Sequence, residues 1–454
     1  MVNESKYRII MNTKATITAF KAGSIRELIV IALPLIIVTL SDNIMIFIDR
    51  VLLAHYSLTS FNAVTLASQA IEIFQYAMWA IAGLTEMFVA KSHARRDLSK
   101  MARPCWQMIY LSVLSLPIMI LLSQYSGGLI LHGEYQVAAQ SYYSLMMYSI
   151  PLMGMVAALS GFFIGRGKLK LVLLSTIVIN VINLTLDIVL IFGIPHYLSP
   201  MGATGAAISA LISLSLQVIC LFWIFLSREN RKKYHTGHYY FHKQSFINML
   251  KVGSPIAAGH AGEMFGWLVL IKIFANDNPE SFTIISIGST LYLVFAFFID
   301  GLYRALSTII GHQITAGYLH SLHKTLRNAM IALFAMLMLI AIPFIIKPNI
   351  VFSLFNLSKH LDYWHHNLSI SLVFIWVYFM LSGIFWVFAS LLTAKHDTKF
   401  MMAVNTIGMW LLTIAPIYLL VKYATLSTTL IWPIIDIYML TACVAVIFRY
   451  KVKT

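Results

Sequence analysis

Long apolar runs recur twelve times along this chain, and they constrain its fold more than any single motif does. Each run is long enough to cross a lipid bilayer, which takes about 20 apolar residues in a helix. The composition agrees, because only 11% of the 454 residues are charged, against about 25% in typical soluble domains. The runs lie near residues 28–54, 62–90, 105–126, 138–164, 171–193, 203–226, 246–275, 282–310, 329–352, 368–393, 401–422 and 427–448. We therefore expect an all-α integral membrane protein with twelve transmembrane helices.

Basic residues concentrate in every second loop, and this pattern predicts the orientation of the chain. Lys and Arg gather in the N-terminal arm, after each even-numbered span and at the C-terminus. The opposite loops carry only Lys272, Lys347, Lys359 and Lys422. Because basic loops stay on the cytoplasmic side, both termini are expected in the cytoplasm and the chain in the inner (plasma) membrane. The net charge of +15 then reflects topology, and no nucleic-acid partner is expected.

The two halves of the chain share a spacing that indicates an internal repeat. Pro34 and Pro255 are 221 residues apart, and so are Asp42 and Glu263. Each proline favours a kink in its span, and each acid follows two turns later. Two six-helix, pseudo-symmetric lobes of this kind are typical of secondary transporters. The expected divisions are a cytoplasmic arm at 1–27, lobes at 28–226 and 246–448, a cytoplasmic linker at 227–245 and a tail at 449–454.

Acidic residues inside the apolar spans are the main anomaly of the sequence. Eight of the 17 acids fall there: Asp42, Asp49, Glu72, Glu86, Asp187, Glu263, Asp300 and Asp436. Two basic residues lie equally deep, Arg50 and Arg304, and Arg304 is spaced to pair with Asp300. A charge inside the bilayer is expected to face a bundle interior or a wet cavity. The net negative interior predicts a cationic passenger, with H⁺ or Na⁺ bound when the passenger leaves.

The fifth span carries the most distinctive polar stripe. Asn180, Asn183 and Asp187 lie three and four residues apart, so that a helix places them on one face. This spacing predicts that the three side chains act at one site.

Several strings in the sequence match one transporter family together. They are FIDRVLLA from Phe47, NLTLDIVLIFG from Asn183, MGATGAAIS from Met201 and LKVGSP from Leu250. Taken together they resemble motifs of the multidrug and toxic compound extrusion (MATE) family, within the multidrug/oligosaccharidyl-lipid/polysaccharide exporter superfamily. The resemblance covers essentially all twelve spans and implies two lobes that form a V-shaped cavity.

The resemblance implies an antiporter that exports organic cations in exchange for H⁺ or Na⁺ and needs no cofactor besides that ion. Transferred to this chain, the cation site of the N-terminal lobe consists of Asp49, Asn183 and Asp187, with Asn180 on the same face. Ser209 of span six is a further hydroxyl ligand. Protonation of Asp187 or Asp49 is expected to let span one rebend at Pro34 and release the exported cation.

The C-terminal lobe departs from the family pattern. Glu263 of span seven matches a buried family Glu, but span ten has no acid and carries Ser382 or Gly383 near the expected place. Arg50 is a second departure, expected either to act on the charge of Asp49 or to occupy the site as a tethered cation. The remaining acids Asp42, Glu72 and Glu86 are expected to bind substrate.

Other functions stay open at this stage. A lipid-linked oligosaccharide flippase of the same superfamily is the principal alternative, although polyphosphate cargo would favour a basic cavity. A channel would conduct without exchange. An enzyme is not expected, because the chain has neither His-Glu-x-x-His nor Gly-x-Ser-x-Gly. The His235, His238 and His242 series is expected to be a solvated loop, with no metal bound, and the protein a monomer.

Overall fold

Twelve long apolar helices make up most of the protein. The computed structural model of the chain describes residues 20–95, 97–131, 135–277, 279–315, 319–357, 361–395, 397–423 and 428–453. The helices are α1 (Ile25–Tyr56), α2 (Leu58–His93), α3 (Leu98–Tyr125), α4 (Gln136–Ile164), α5 (Leu169–Phe192), α6 (Gly202–Phe225), α7 (Lys243–Ala275), α8 (Glu280–Ile314), α9 (Leu322–Ile346), α10 (His366–Ala394), α11 (Ala403–Tyr423) and α12 (Ile431–Lys451). The predicted all-α fold with twelve membrane-spanning helices is confirmed, and the chain is a multi-pass membrane protein.

Some of these helices contain local irregularities. Helix α2 is divided at Gly83 into Leu58–Ala82 and Leu84–Ala94, and α4 at Tyr148 into Gln136–Met147 and Ser149–Ile164. Helices α9 and α11 contain the π-helical turns Ile342–Ile346 and Trp410–Ile414. Helix α3 begins with the 3₁₀ turn Leu98–Lys100. Short helices complete the described chain: Gly127–Ile130, Arg228–Tyr234, Asn349–Leu354, and the 3₁₀ turns Leu319–Ser321 and Thr428–Leu430. Pro34 and Pro255 both lie inside helices, and their kinks stay predictions.

The connection between α5 and α6 is a tight turn that requires glycine. Gly193 ends α5 with a φ of 76°, in the left-handed region that favours glycine. Ile194 and Leu198 then exchange two backbone hydrogen bonds of 2.9 Å. Because the turn is short, α6 returns directly alongside α5.

Two compact units divide the described chain. We name the unit Ile48–Thr283 the N unit, and the unit Met1–Phe47 with Ile284–Thr454 the C unit. These bounds differ from the predicted lobes at 28–226 and 246–448, because α7 and most of α1 are grouped with helices of the opposite half of the sequence. The lobe boundaries of the repeat stay a prediction.

Within the C unit, α1 packs against α8. Thr39 Oγ1 donates a 2.8 Å hydrogen bond to the Phe297 carbonyl, and Asn43 Nδ2 donates one of 2.9 Å to the Leu293 carbonyl. Such side-chain to backbone bonds hold helices together in an apolar solvent. They explain why this part of α1 belongs to the C unit.

Within the N unit, α7 packs against α2. A Cβ on Gly253 of α7 would lie 3.1 Å from the Ile81 Cα and 3.0 Å from Leu84 Cδ1. Only a small residue allows two helix backbones to approach so closely. The aromatic ring of Tyr76 on α2 also stacks on His260 of α7, with a centroid separation of 6.3 Å.

The predicted linker at 227–245 packs on α3 of the N unit. Trp106 Nε1 donates a 3.0 Å hydrogen bond to the Thr236 carbonyl, and its ring contacts Phe225 of α6. Arg166 lies over the rings of Phe162 and Tyr234, at 4.1 Å and 4.3 Å. Burial lowers the pKa of the Arg166 guanidinium.

Candidate functional site

One face of α5 carries the polar residues at the centre of the candidate site. The buried residues of this helix recur every three or four positions: Val172, Ser175, Ile179, Asn183, Asp187 and Ile191. Asn183 and Asp187 have no exposed surface at all, whereas Asn180 is half-buried. Positions four apart stand one above the other on a helix. The sequence therefore buries an amide and a carboxyl group one turn apart.

Helix α6 closes this face because small residues allow it to approach α5. A Cβ on Gly205 would lie 2.6 Å from the Leu190 carbonyl oxygen, which requires a glycine at this contact. One turn further on, Ser209 is fully buried, and its hydroxyl donates a 3.1 Å hydrogen bond to the Asn183 carbonyl. The predicted ligand Ser209 therefore lies beside the stripe, where it fixes the backbone of Asn183.

Asn183 joins two carboxyl groups. Its Nδ2 donates a 3.3 Å hydrogen bond to Asp49 Oδ1 of α1 and a second one to Asp187 Oδ2. One amide group therefore contacts both acids. The structure thus brings together the three predicted residues Asp49, Asn183 and Asp187, which we call the carboxyl cluster.

Two oxygens of the carboxyl cluster have no donor. Asn183 Oδ1 and Asp187 Oδ1 are buried and accept no hydrogen bond from any residue the structure describes. Leaving a buried acceptor unpaired costs about 1–3 kcal/mol, and more when the group is charged. A proton or a small hard cation, which prefers oxygen ligands, would remove this penalty. Across the described ranges no set of three His, Cys, Asp or Glu side chains is arranged to hold a metal ion.

A buried ion pair lies next to the carboxyl cluster. Arg50, only 2% exposed, places its Nη2 3.7 Å from Glu72 Oε1 of α2. Gln69 donates a 3.0 Å hydrogen bond to the other oxygen of Glu72. One of the two expectations for Arg50 is that it acts on the charge of Asp49, and it does so. Its ion-pair partner, however, is Glu72. The positive charge of Arg50 is therefore shared between two helices.

Two residues near the cluster had no assigned role in the sequence analysis. Gln69 lies three residues before Glu72, so that the helical spacing of these polar residues could have indicated the contact. Tyr142 is half-buried on the part of α4 that packs against α2. Nothing in the local pattern of α4 marks Tyr142, because its contact is made across helices.

The other predicted site residues lie elsewhere. Glu86 is exposed and stands 14 residues after Glu72, beyond the division of α2 at Gly83. Glu263 is half-buried on α7. The side chain of Asp42 lies outside the part of the chain that the structure describes.

Comparison with known proteins places these features in a family context. The MatE family model matches residues 34–189 and 255–419. A probable multidrug resistance protein NorM from Thermotoga maritima is 23% identical over 298 residues, which cover 63% of this chain and 62% of that protein. A protein of the same description from Photorhabdus laumondii is 27% identical over 236 residues, covering 51% of this chain and 52% of the relative. The chain thus spans between half and two thirds of these relatives.

Solved structures share the fold. A multidrug resistance MATE family transporter of the MOP superfamily, in an inward-facing conformation, superposes with a TM-score of 0.79 and 16% sequence identity, covering 91% of this chain and 94% of the other. A MOP superfamily transporter from Pyrococcus furiosus, described as having a binding pocket of reverse polarity, gives a TM-score of 0.72 at 16% identity, with 94% and 96% of the two chains covered.

Proposed function

This chain belongs to the MatE family, and from that premise we propose that it is a secondary active multidrug antiporter. It exports organic cations in exchange for H⁺ or Na⁺. The coupling ion binds at the carboxyl cluster of Asp49, Asn183 and Asp187. The observation that carries this proposal is the pair of buried oxygens, Asn183 Oδ1 and Asp187 Oδ1, that no described residue satisfies.

The chemistry of the carboxyl cluster supports an exchange of ions. With both carboxyl groups ionised, two negative charges would stand side by side in a buried site, and like charges at this distance repel strongly. One bound proton removes a charge and allows a hydrogen bond to form between Asp49 and Asp187. A bound Na⁺ compensates the same charge by direct coordination. Either ion can therefore stabilise one state of the site.

Coupling follows when the exported cation and the coupling ion compete. The carboxyl cluster carries more negative charge after the ion leaves, and it then attracts the organic cation more strongly. Binding of the ion weakens that attraction and favours release. A ligand shifts a conformational equilibrium only by its difference in affinity for the two states, and the change in charge supplies such a difference. We retain the prediction that α1 rebends at Pro34 during this step.

Residues beyond the carboxyl cluster have supporting roles in this proposal. Asn180 lies on the same face of α5 and extends the polar stripe. Glu263 remains a proposed ion ligand on α7. We assign Glu72 to the ion pair with Arg50, which orders the neighbourhood of Asp49, and keep Asp42, Glu72 and Glu86 as proposed substrate contacts.

The proposal also includes the membrane in which the protein acts, the orientation of its termini and its oligomeric state. The distribution of Lys and Arg supports a plasma-membrane location with both termini in the cytoplasm. The protein is proposed to act as a monomer.

Efflux of a fluorescent organic cation from proteoliposomes tests this function. The imposed gradient is either a pH gradient or a Na⁺ gradient, and the variant is Asp187→Asn. Asp97→Asn is the matched control, because Asp97 is a carboxylate outside the spans that pairs with Lys100 at 2.6 Å. We expect one gradient to drive uphill export by the wild type and by Asp97→Asn, and Asp187→Asn to lose it.

Two outcomes would contradict the proposal. Full gradient-driven export by Asp187→Asn would remove the carboxyl cluster from the coupling mechanism. Failure of both gradients with the wild type, combined with translocation of a lipid-linked oligosaccharide in the same vesicles, would make the chain a flippase.

A further inference from the structure

Asp436 of α12 is a buried carboxyl group that the carboxyl cluster does not include. Its side chain is only 7% exposed, and neither Oδ1 nor Oδ2 accepts a hydrogen bond from any residue the structure describes. It belongs to the C unit and is the sixth residue of α12. A buried acid with both oxygens unsatisfied requires a bound partner or a proton.

Contacts on either side of Asp436 show that it faces α10. Trp432 packs its ring against Tyr378 of α10, at 5.9 Å between centroids. Cys443 donates through its sulfur to the Leu381 carbonyl of the same helix, at 3.0 Å. At about 100° per residue, positions 432, 436 and 443 fall within about 40° of one another on a helix. Asp436 therefore lies on the surface of α12 that packs against α10.

Two other buried polar atoms, one on α12 and one on a turn that contacts α12, also lack a hydrogen-bond partner among the described residues. Trp432 Nε1 stands one turn before Asp436, and Thr413 Oγ1 lies in the π-helical turn Trp410–Ile414 of α11, which contacts α12. Both atoms are buried, and neither has a hydrogen-bond partner among the described residues. Single π-helical turns occur frequently at functional sites. The region therefore combines one unpaired acid, one unpaired N–H and one unpaired hydroxyl.

No charged group among the described residues pairs with Asp436. The titratable or charged side chains described on α12 and on the helices that contact it or Trp432 are Glu280, Tyr292, Asp300, Tyr303, Arg304, His312, His366, Tyr378, Tyr418, Lys422, Tyr423, Tyr438, Cys443, Arg449, Tyr450 and Lys451. None of the ion pairs between described residues includes Asp436. Arg449 is 13 residues away and pairs with Asp397 at 3.0 Å.

Three hydroxyls of α8, α10 and α12 already have partners. Tyr438 donates to Asn405, and the hydroxyls of Tyr292 and Ser382 bond to each other at 3.2 Å. A sodium ion needs several oxygen ligands at once, as hard cations do. A proton needs only one carboxyl oxygen, and both oxygens of Asp436 are unsatisfied by the described residues.

We propose that Asp436 is a second proton-binding site, located in the C unit and separate from the carboxyl cluster. It binds one proton on a carboxyl oxygen, and the protonated group can donate a hydrogen bond to a neighbouring oxygen. The role of this proton in coupling rests on the function proposed above. Proton binding itself does not depend on that function.

Infrared spectroscopy of the full-length protein in lipid nanodiscs tests proton binding directly. The carbonyl stretch of a protonated carboxyl group, identified by its shift in D₂O, is recorded while the pH is changed. We expect the wild type to show a buried protonated carboxyl band that Asp436→Asn loses, and Asp187→Asn and Asp397→Asn to retain it. An unchanged set of bands in Asp436→Asn would overturn the proposal.

A second variant keeps the test valid if Asp436→Asn fails to fold. Asp436→Glu retains an ionisable carboxyl group with one more methylene, so that the band should shift in frequency and persist. Persistence without any shift would show that the band belongs to another acid and would contradict the proposal.

Transport separates this inference from the proposed function. If a pH gradient drives export of organic cations by the wild type, the number of protons exchanged per cation should fall in Asp436→Asn. An unchanged ratio would exclude Asp436 from coupling. If the wild type exports no organic cation, the proposed function fails, while the infrared band still decides whether Asp436 binds a proton.

Discussion

The N unit and the C unit bury acids in opposite ways. In the N unit, Asp49 and Asp187 share one amide donor, Asn183, and lie beside the Arg50–Glu72 ion pair. In the C unit, Asp436 has neither a hydrogen-bond donor nor an ion-pair partner among the described residues. The difference shows that burial alone does not define an ion site. A cluster with several oxygens offers ligands for either a proton or a cation, whereas an isolated carboxyl group offers fewer oxygen ligands to a cation and favours a proton.

Removal of Asp187, the acid of α5, should reduce transport more than any other change in either unit. Asp187→Asn should abolish gradient-driven export. The carboxyl cluster then keeps a single acid, Asp49, and the coupling ion and the organic cation no longer compete for the charge of two acids. Asp49→Asn should give the same loss, and the double variant should be no worse than either single variant, since residues of one network are not additive. Initial rates in proteoliposomes measure this. Additive losses would show that the two acids act independently.

The ion pair beside the carboxyl cluster should affect stability more than ion binding. Arg50→Leu leaves Glu72 without its cation, and breaking a buried pair on one side lowers the free energy of unfolding by about 3–5 kcal/mol. Arg50→Leu combined with Glu72→Leu should be distinctly more stable than the single variant. Thermal unfolding in detergent gives both values. Equal destabilisation by the single and double variants would mean that the pair is not what stabilises this region.

The shared amide should set affinity for the coupling ion. Asn183→Leu removes two hydrogen bonds to carboxyl groups, and one bond to a charged group contributes about 1.5–3 kcal/mol. We therefore expect the concentration of coupling ion for half-maximal export to change by about tenfold or more. Thr185→Val on the exposed face of α5 is the matched control and should leave this concentration unaltered. A wild-type value in Asn183→Leu would contradict the assignment of Asn183.

An exposed acid should have the smallest effect. Hydrogen bonds from Lys100 and Ser99 hold the pKa of Asp97 below its usual range. A lowered folded-state pKa stabilises the protein above the ordinary pKa of Asp, and this contribution disappears as the pH falls through the lowered value. Asp97→Asn should therefore slightly reduce stability at neutral pH, and the difference from wild type should vanish in acid. Thermal unfolding across this range measures it; a difference that grows in acid would refute the pairing.

Much of the fold and part of the carboxyl cluster could be predicted from the sequence. Apolar length alone predicts the twelve helices, because a bilayer leaves few other ways to satisfy the backbone. The spacing of Asn183 and Asp187 predicts their shared face. Their partner Asp49 came from family resemblance, since no local pattern shows which helices meet.

Other features could not be predicted because they depend on contacts between helices. Arg50 follows Asp49 in the chain, but consecutive helical residues point about 100° apart, and Arg50 reaches Glu72 instead. The contact of α7 with α2 depends on a close approach at Gly253 that periodicity does not encode. Asp436 was recognised as an intramembrane acid, although its lack of described partners is a property of the packed structure.

Ion release on substrate binding tests the central claim most directly. A fluorescent organic cation is added to the purified protein in weakly buffered solution, with and without Na⁺, and the released H⁺ or Na⁺ is recorded with ion-selective electrodes. The account predicts release of one of these ions by the wild type and by Asp97→Asn, and loss of that release in Asp49→Asn and Asp187→Asn. Undiminished release from Asp187→Asn would contradict the assignment of the coupling site to Asp49, Asn183 and Asp187.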